Sequence, residues 1–220
     1  MLQTFTLKFL KELNRNNNKP WFDEHRKEYE NARKDFNLFI DDLIKAIAKF
    51  DKSIAGQEAK NCIFRINRDV RFSKNKNPYK NNMAGYFNKD GKKGIGAGYY
   101  FHLEPGASIV AGGIWMPEPF VLGNIRQEID YNFEEWKKII GNTTFKRVFP
   151  EGLENNESLL RPPKGYDIDN RAIHYLKMKT FIVTKKYTDK EILSKSIIND
   201  IAGTFRTIKP VIDFLNRATD

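Results

Sequence analysis

The stretch that decides the fold is residues 97–115, AGYYFHLEPGASIVAGGIW. Aromatic and aliphatic residues form one run over Ala97–Glu104, and Pro105-Gly106 separates it from a second run, Ser108–Trp115. Short β-prone runs predict strands, and a Pro-Gly pair between them predicts a turn. We therefore expect two sequential antiparallel strands here, and a third at Gly85–Asn88 that extends the meander.

Helical periodicity precedes this meander. Apolar residues recur at steps of three and four over Thr4–Asn14 and, as the strongest pattern in the chain, from Pro20 to Phe50. A helix of that second extent would be roughly 45 Å long at about 1.5 Å per residue. Because one small core cannot cover that length, we expect a bend or an exposed end. Trp21 and Phe22, at its start, are expected to be largely buried.

The later elements complete the predicted fold. They are helices over Val121–Asp130 and Phe133–Ile140, a strand at Thr180–Tyr187, a capping box of Thr188 and Glu191, and a final helix from Ile197 to Leu215 that Pro210 bends. No internal repeat or low-complexity linker is present. The pattern predicts an α+β fold: a central, mainly antiparallel sheet packed by helices from both ends of the chain. We expect a single domain over residues 1–220, with a split near Gly141–Gly165 as the alternative.

Composition narrows the class of protein. The 220 residues are 40% hydrophobic and carry a formal net charge of +10, which favours anionic partners. Cys62 is the single cysteine, so a disulfide framework is excluded and a reducing, cytoplasmic location is expected. No apolar run approaches the roughly 18 to 20 residues that span a bilayer, and no secretory signal is recognisable. We therefore expect a soluble protein without a membrane partner; the oligomeric state stays open.

One stretch carries most of the net charge. Residues 65–93 hold nine basic side chains against Asp69 and Asp90, a local charge of +7. Over Cys62–Phe72 apolar residues alternate with polar ones, which predicts a half-buried strand with Arg65, Asp69 and Arg71 on one face. The alternative is that Asp69 simply pairs with one arginine while the lysines are a solvated surface.

Standard catalytic motifs are absent from the sequence. His25, His102 and His174 lie far apart without a His or Cys at coordinating spacing, so no metal or other cofactor is expected, although a mixed site of His and carboxylates stays open. The glycines of Gly94–Gly98 precede strand-forming residues, which favours a turn over a dinucleotide-binding loop. Neither a phosphate-binding loop nor a serine or cysteine nucleophile motif occurs.

Several motifs together carry a family resemblance. They are Asn16-Asn17 with Trp21-Phe22, residues 65–74 (RINRDVRFSK), residues 76–80 (KNPYK), Gly98-Tyr99-Tyr100 with His102, residues 112–115 (GGIW) with Pro117, Ile125-Arg126 and residues 162–166 (PPKGY). The chain resembles, over nearly its whole length, the conserved hypothetical protein family called domain of unknown function 2461. Asn75 stands where that pattern has an acidic residue. The resemblance implies a single-domain protein and brings no activity, cofactor or partner.

Two functions follow from the charge pattern. The first is a basic cleft that binds a small phosphorylated or carboxylated anion and possibly acts on it; the second is a nucleic-acid binding module in which Tyr79, Tyr86, Phe87, Tyr99 and Trp115 stack on bases. The candidate anion-binding residues are Arg65, Arg68, Arg71, Lys76, Tyr79, Lys80, Tyr99, Arg126 and Lys164. Asp69 and His102 are the candidate catalytic proton carriers. For His102 the alternative is a plain hydrogen bond to a neighbouring side chain. We also expect Asn77–Lys80 to be an ordered turn, because Pro78 restricts the backbone.

Overall fold

A four-stranded antiparallel sheet forms the centre of the fold. The computed structural model describes residues 1–155 and 157–219. Its strands are β1 (Met83–Phe87), β2 (Gly98–Leu103), β3 (Ser108–Ile114) and β4 (Phe181–Tyr187), hydrogen-bonded in the order β1-β2-β3-β4. Neighbours in the sheet are therefore also neighbours in sequence. The predicted meander and the fourth strand are confirmed.

Ten α-helices occur in the described part of the chain. They are α1 (Thr4–Arg15), α2 (Lys19–Glu24), α3 (Arg26–Ala48), α4 (Ala59–Cys62), α5 (Pro119–Tyr131), α6 (Phe133–Gly141), α7 (Thr143–Val148), α8 (Ile173–Leu176), α9 (Asp189–Ile192) and α10 (Ile197–Asn216). The predicted α+β class is confirmed. The expected bend is also found, because His25 separates α2 from α3. Thr188 and Glu191 form the predicted capping box at the start of α9.

The chain divides into two compact units that interleave in sequence. The first unit comprises Met1–Lys92, Tyr100–Val110 and Lys186–Gly203; the second comprises Lys93–Tyr99, Ala111–Lys185 and the chain from Thr204 onward. The alternative boundary at Gly141–Gly165 lies inside the second unit. A single functional domain over the whole chain stays a prediction.

The core of the first unit joins α3 to strand β2. The buried rings of Phe36 and Phe39 pack against Phe101, with ring centroids 6.1 and 5.1 Å apart. Phe22 is buried as predicted. Trp21 is only partly buried; its ring stacks on the half-buried imidazole of His25, centroid to centroid 4.1 Å. The expectation for Trp21 was therefore too strong.

The second unit has its own aromatic core. Trp136 is fully buried and contacts Phe214 and Phe181, while Tyr99 packs against Phe205 of α10. Gly113 has φ of 119°, and a Cβ at this position would overlap the carbonyl oxygen of Phe181. Only glycine lets the two backbones approach this closely. Helices from both ends of the chain therefore contact the sheet: α3 in the first unit and α10 in the second.

Candidate functional site

The basic residues of the first unit lie on an irregular segment between α4 and β1. We call residues 63–80 the basic loop. Two isolated antiparallel bridges, Ile63 with Gly85 and Asn67 with Tyr79, hold it, and the amide of Phe64 donates to the carbonyl of Ala84 at 3.0 Å. The loop thus begins beside β1 and then folds back on itself.

The predicted half-buried strand over Cys62–Phe72 is wrong. Cys62 ends helix α4, and Phe72, assigned to the apolar face, is 97% exposed. The carboxylate of Asp69 accepts the backbone N–H of Arg71 at 3.2 Å, and the amide of Ser73 donates to the carbonyl of Val70 at 3.3 Å. Aspartate side chains that bond the backbone two residues on favour turns over strands. This local competition turns the chain at Asp69 despite the alternating pattern.

Tyr79 anchors the returning arm of the loop. Asn17 pairs with its backbone in both directions: the amide of Tyr79 donates to Asn17 Oδ1 at 3.0 Å, and Asn17 Nδ2 donates to the Tyr79 carbonyl at 2.9 Å. The ring of Tyr79 is buried and stacks on Phe22 at 3.9 Å between centroids. The segment Asn77–Lys80 is therefore held in place as expected, but as a bend at Pro78 followed by a bridge at Tyr79 and not as a turn. Asn17 therefore supports the site by holding the backbone of Tyr79. In the sequence, only its position in the family motifs points to this role.

Arg68 and Lys76 stabilise the loop itself. The guanidinium of Arg68 donates to the Asn77 carbonyl at 3.0 Å and to Ser73 Oγ at 3.3 Å, while Lys76 Nζ donates to the Val70 carbonyl at 3.1 Å. These donors are engaged with backbone and hydroxyl oxygens across the loop. Their first role is therefore structural.

Arg71 and Asp69 form a forked ion pair. Arg71 Nε donates to Asp69 Oδ1 at 3.0 Å, and Nη2 donates to Oδ2 at 2.6 Å. This hydrogen bonding holds the pKa of Asp69 below its ordinary value and raises that of Arg71. A carboxyl that stays ionised beside a fixed cation is a poor proton carrier near neutral pH. Asp69 therefore pairs with one arginine, as the alternative interpretation of the sequence predicts.

Arg65 and Lys80 are two cations of the loop that lie close enough for their charges to interact. In the described residues neither makes an ion pair, and the ammonium group of Lys80 lies 5.4 Å above the ring of Phe64. Burial, together with the nearby charge of Arg65, lowers the pKa of Lys80. The backbone of Lys80 is fixed, since its amide donates to the Ile66 carbonyl at 2.8 Å. Two neighbouring positive charges, one of them on an anchored backbone, can attract an anion.

A second polar group begins at the residue after Lys80. Asn81 Nδ2 donates to Glu104 Oε1 at 2.6 Å, Glu104 Oε2 lies 2.8 Å from His102 Nε2, and His102 Nδ1 lies 3.1 Å from the hydroxyl of Tyr100. We call Tyr100, His102 and Glu104 the β2 chain. His102 therefore bonds to Tyr100 on its own strand and to Glu104 just after that strand, as the alternative for it predicts. Its partners Tyr100 and Glu104 were missed as site residues, although their spacing by two from His102 signals a common face.

The three other candidate anion-binding residues belong to the second unit. Tyr99 is fully buried in its aromatic core. Arg126 donates from Nε to the Leu176 carbonyl at 2.7 Å and from Nη2 to the Met178 carbonyl at 3.3 Å, and burial lowers its pKa. Lys164 is exposed in a loop. The contacts of Tyr99 and Arg126 identify structural roles within that unit.

The aromatic residues named for base stacking are mostly unavailable. Tyr79, Phe87 and Tyr99 are buried, whereas Trp115 is 72% exposed. A base needs an open ring face to stack on. Because they are buried, three of the five rings cannot stack on bases, which weakens the nucleic-acid hypothesis.

Two further searches concern the part of the chain that the structure describes. Across residues 1–155 and 157–219 there is no group of three or more His, Cys, Asp or Glu side chains that could hold a metal ion. In the same residues, no helix is long and apolar enough to cross a membrane.

Comparison with known proteins gives a family and no activity. The searches of curated proteins and of solved structures gave no match. The family model described as Conserved hypothetical protein (DUF2461) matches residues 5–214. That match includes the basic loop, the β2 chain and both aromatic cores. The chain therefore belongs to the conserved hypothetical protein family DUF2461.

Proposed function

We propose that the first unit binds a small phosphorylated or carboxylated anion between Arg65 and Lys80. The observation that carries the proposal is the pair of neighbouring cations, neither of which forms an ion pair in the described chain. Like charges held close together repel each other, and this repulsion is stronger for a half-buried group than in water. A bound anion removes the repulsion.

The surrounding loop favours a fixed site over a mobile basic surface. Lys80 follows directly after Tyr79, whose backbone and ring are both held by the N-terminal helical region. Arg68, Lys76 and Arg71 each have an oxygen partner within the loop. Arg65, Lys74 and Lys80 are the loop cations without such a partner in the described residues, and Arg65 and Lys80 lie close together. This supports a small ligand over an extended nucleic-acid backbone, which needs a continuous row of available cations.

A thermal melting experiment tests this proposal. The full chain is melted in inorganic phosphate and in chloride at matched ionic strength, since a ligand that binds only the folded state raises Tm. Phosphate should raise Tm above the chloride value. Lys80→Met, which keeps an apolar stem over Phe64, and Arg65→Gln should each lose most of that difference.

The same loop supplies matched controls. Lys74→Gln removes an exposed lysine, and Arg71→Gln removes a guanidinium already paired with Asp69. Both variants should keep the phosphate effect. Equal stabilisation by chloride, or an undiminished phosphate effect in both Lys80→Met and Arg65→Gln, would show that no anion binds there.

A further inference from the structure

The β2 chain lies on the face of β2 opposite the one that packs against α3. Phe101 and Leu103 are fully buried, and Phe101 packs against α3, whereas Tyr100, His102 and Glu104 are half-buried. Successive side chains of a strand point to opposite faces. The three polar groups therefore form a row on that opposite face, and each keeps part of its surface exposed.

The hydrogen bonds assign a distinct role to each group. A carboxylate only accepts hydrogen bonds, so His102 Nε2 donates to Glu104 Oε2 across 2.8 Å. In the neutral ring Nδ1 is then an acceptor, and the hydroxyl of Tyr100 donates to it across 3.1 Å. Glu104 fixes the tautomer of His102, and His102 is placed to take the proton of Tyr100.

Glu104 is itself well positioned. Asn81 donates to its second carboxylate oxygen. Its backbone N–H donates to Ser108 Oγ at 3.2 Å, and the Ser108 hydroxyl donates back to its carbonyl at 2.9 Å. An orienting carboxylate, a base and a hydroxyl in hydrogen-bonding order are the arrangement that activates nucleophiles in catalytic triads.

Tyr100 needs such a base. Burial, and then the charge of Glu104, raise the pKa of its phenol above the ordinary value, so it is protonated near neutral pH. A neutral phenol is a weak nucleophile until its proton is removed as the new bond forms. His102 Nδ1 lies within reach of that proton.

We propose that Tyr100 is a catalytic nucleophile that accepts a phosphoryl group from a phosphate monoester, with His102 as its base and Glu104 as the orienting group. The choice of phosphate rests on the proposed anion site. That site is linked to the β2 chain by Asn81, which follows Lys80 and bonds Glu104. The activation of Tyr100 rests on the β2 chain alone.

The reaction has two balanced halves. Tyr100 Oη attacks phosphorus, its proton passes to His102 Nδ1, and the bond between phosphorus and the leaving oxygen breaks with its electron pair on that oxygen. The leaving alkoxide takes the proton from His102. Water then attacks the phosphotyrosine and gives a proton to His102 Nδ1, which returns it to the departing Tyr100 oxygen. The net reaction hydrolyses the ester to an alcohol and phosphate.

The first experiment tests activation of Tyr100 without any anion. Phenylmethylsulfonyl fluoride is uncharged; its sulfur bonds to an activated oxygen, fluoride leaves with the electron pair, and the phenol proton passes to the base. Peptide mass spectrometry of the treated full chain should locate the adduct on Tyr100. Tyr100→Phe should abolish it, and His102→Asn should slow it about 100-fold, the scale of general-base catalysis. Tyr86→Phe, on neighbouring β1, is the control and should leave labelling unchanged.

The second experiment tests the substrate class with p-nitrophenyl phosphate. The chain should release p-nitrophenolate and carry phosphate on Tyr100, and Glu104→Gln should slow the release about 100-fold. Circular dichroism and melting verify that each variant folds. If sulfonylation shows no preference for Tyr100, or proceeds equally in folded His102→Asn, the activated nucleophile is refuted.

The two experiments separate this inference from the anion site. Sulfonylation of Tyr100 without phosphoryl transfer refutes phosphate monoesters as the substrate. Failure of phosphate to raise Tm, with Tyr100 still selectively sulfonylated, refutes the anion site and leaves the nucleophile standing.

Discussion

The basic loop and strand β2 position polar side chains in two different ways. On β2 the backbone is a regular ladder, and the row of Tyr100, His102 and Glu104 follows from alternation alone. The backbone of the basic loop is instead held by individual side chains that hydrogen-bond to it. Asn17 does so from outside the loop, and Arg68 from within it. A regular strand distributes its support over many hydrogen bonds, whereas the loop concentrates it in a few. Single substitutions should therefore act differently in the two regions.

The largest expected effect comes from the buried row of β2. Phe101→Ala removes a fully buried ring that contacts Phe36 and Phe39, and should lower the free energy of unfolding by about 3–5 kcal/mol. Phe72→Ala, at the tip of the basic loop, should change it by less than about 0.5 kcal/mol because that ring is exposed. Urea unfolding followed by circular dichroism measures both. Similar losses in the two variants would show that the loop ring is also packed.

A smaller effect is expected where the loop is anchored. Asn17→Ala leaves the amide and carbonyl of Tyr79 without their partner, which should cost about 1–3 kcal/mol of unfolding free energy. Asn16→Ala, in the same turn, removes only an exposed bond to the Glu12 carbonyl and serves as the control. The same urea experiment applies. An Asn17 variant as stable as the Asn16 variant would mean that the stacking of Tyr79 on Phe22 holds the loop without Asn17.

The smallest effect concerns the exposed ion pair of the loop. Arg71 lowers the pKa of folded Asp69, so the carboxyl binds its proton less readily in the folded chain than in the unfolded one. The resulting stabilisation is present above the unfolded pKa and is lost as pH falls through the lowered folded pKa. Its size should be small, because solvent screens exposed pairs. Carboxyl NMR titration should place the pKa of Asp69 below the ordinary value, and Arg71→Gln should move that pKa back. An unchanged pKa in this variant would show that Arg71 does not pair with Asp69 in solution.

The sequence was sufficient for those parts of the fold that repeat regularly. Strands β1 to β4 and helices α1, α5, α6 and α10 follow from alternation, helical spacing and turn residues. Such patterns are local, so they can be recognised without knowing the tertiary contacts. The long apolar faces that they create are then buried when the elements pack together. The capping box at Thr188 was equally predictable, because it involves residues three apart.

The basic loop could not be predicted in the same way. Its alternation resembles that of β2, but Arg68 interrupts the apolar row and Asp69 offers the backbone a closer partner than a neighbouring strand. The partner of Tyr79 lies on the turn after α1, which no local pattern reveals. The candidate residues Tyr99 and Arg126 were chosen for chemical type, and their burial depends on tertiary contacts. The partnering of Asp69 with Arg71 was foreseen only as one of two alternatives.

The pairing of Asn17 with Tyr79 also has a consequence for the order of folding. These residues are separated by 62 positions, so their hydrogen bond closes a long span of chain, which carries a large entropic cost. Contacts of high sequence separation form slowly. We therefore expect the basic loop to gain its shape late in refolding, after α1 to α3 have assembled.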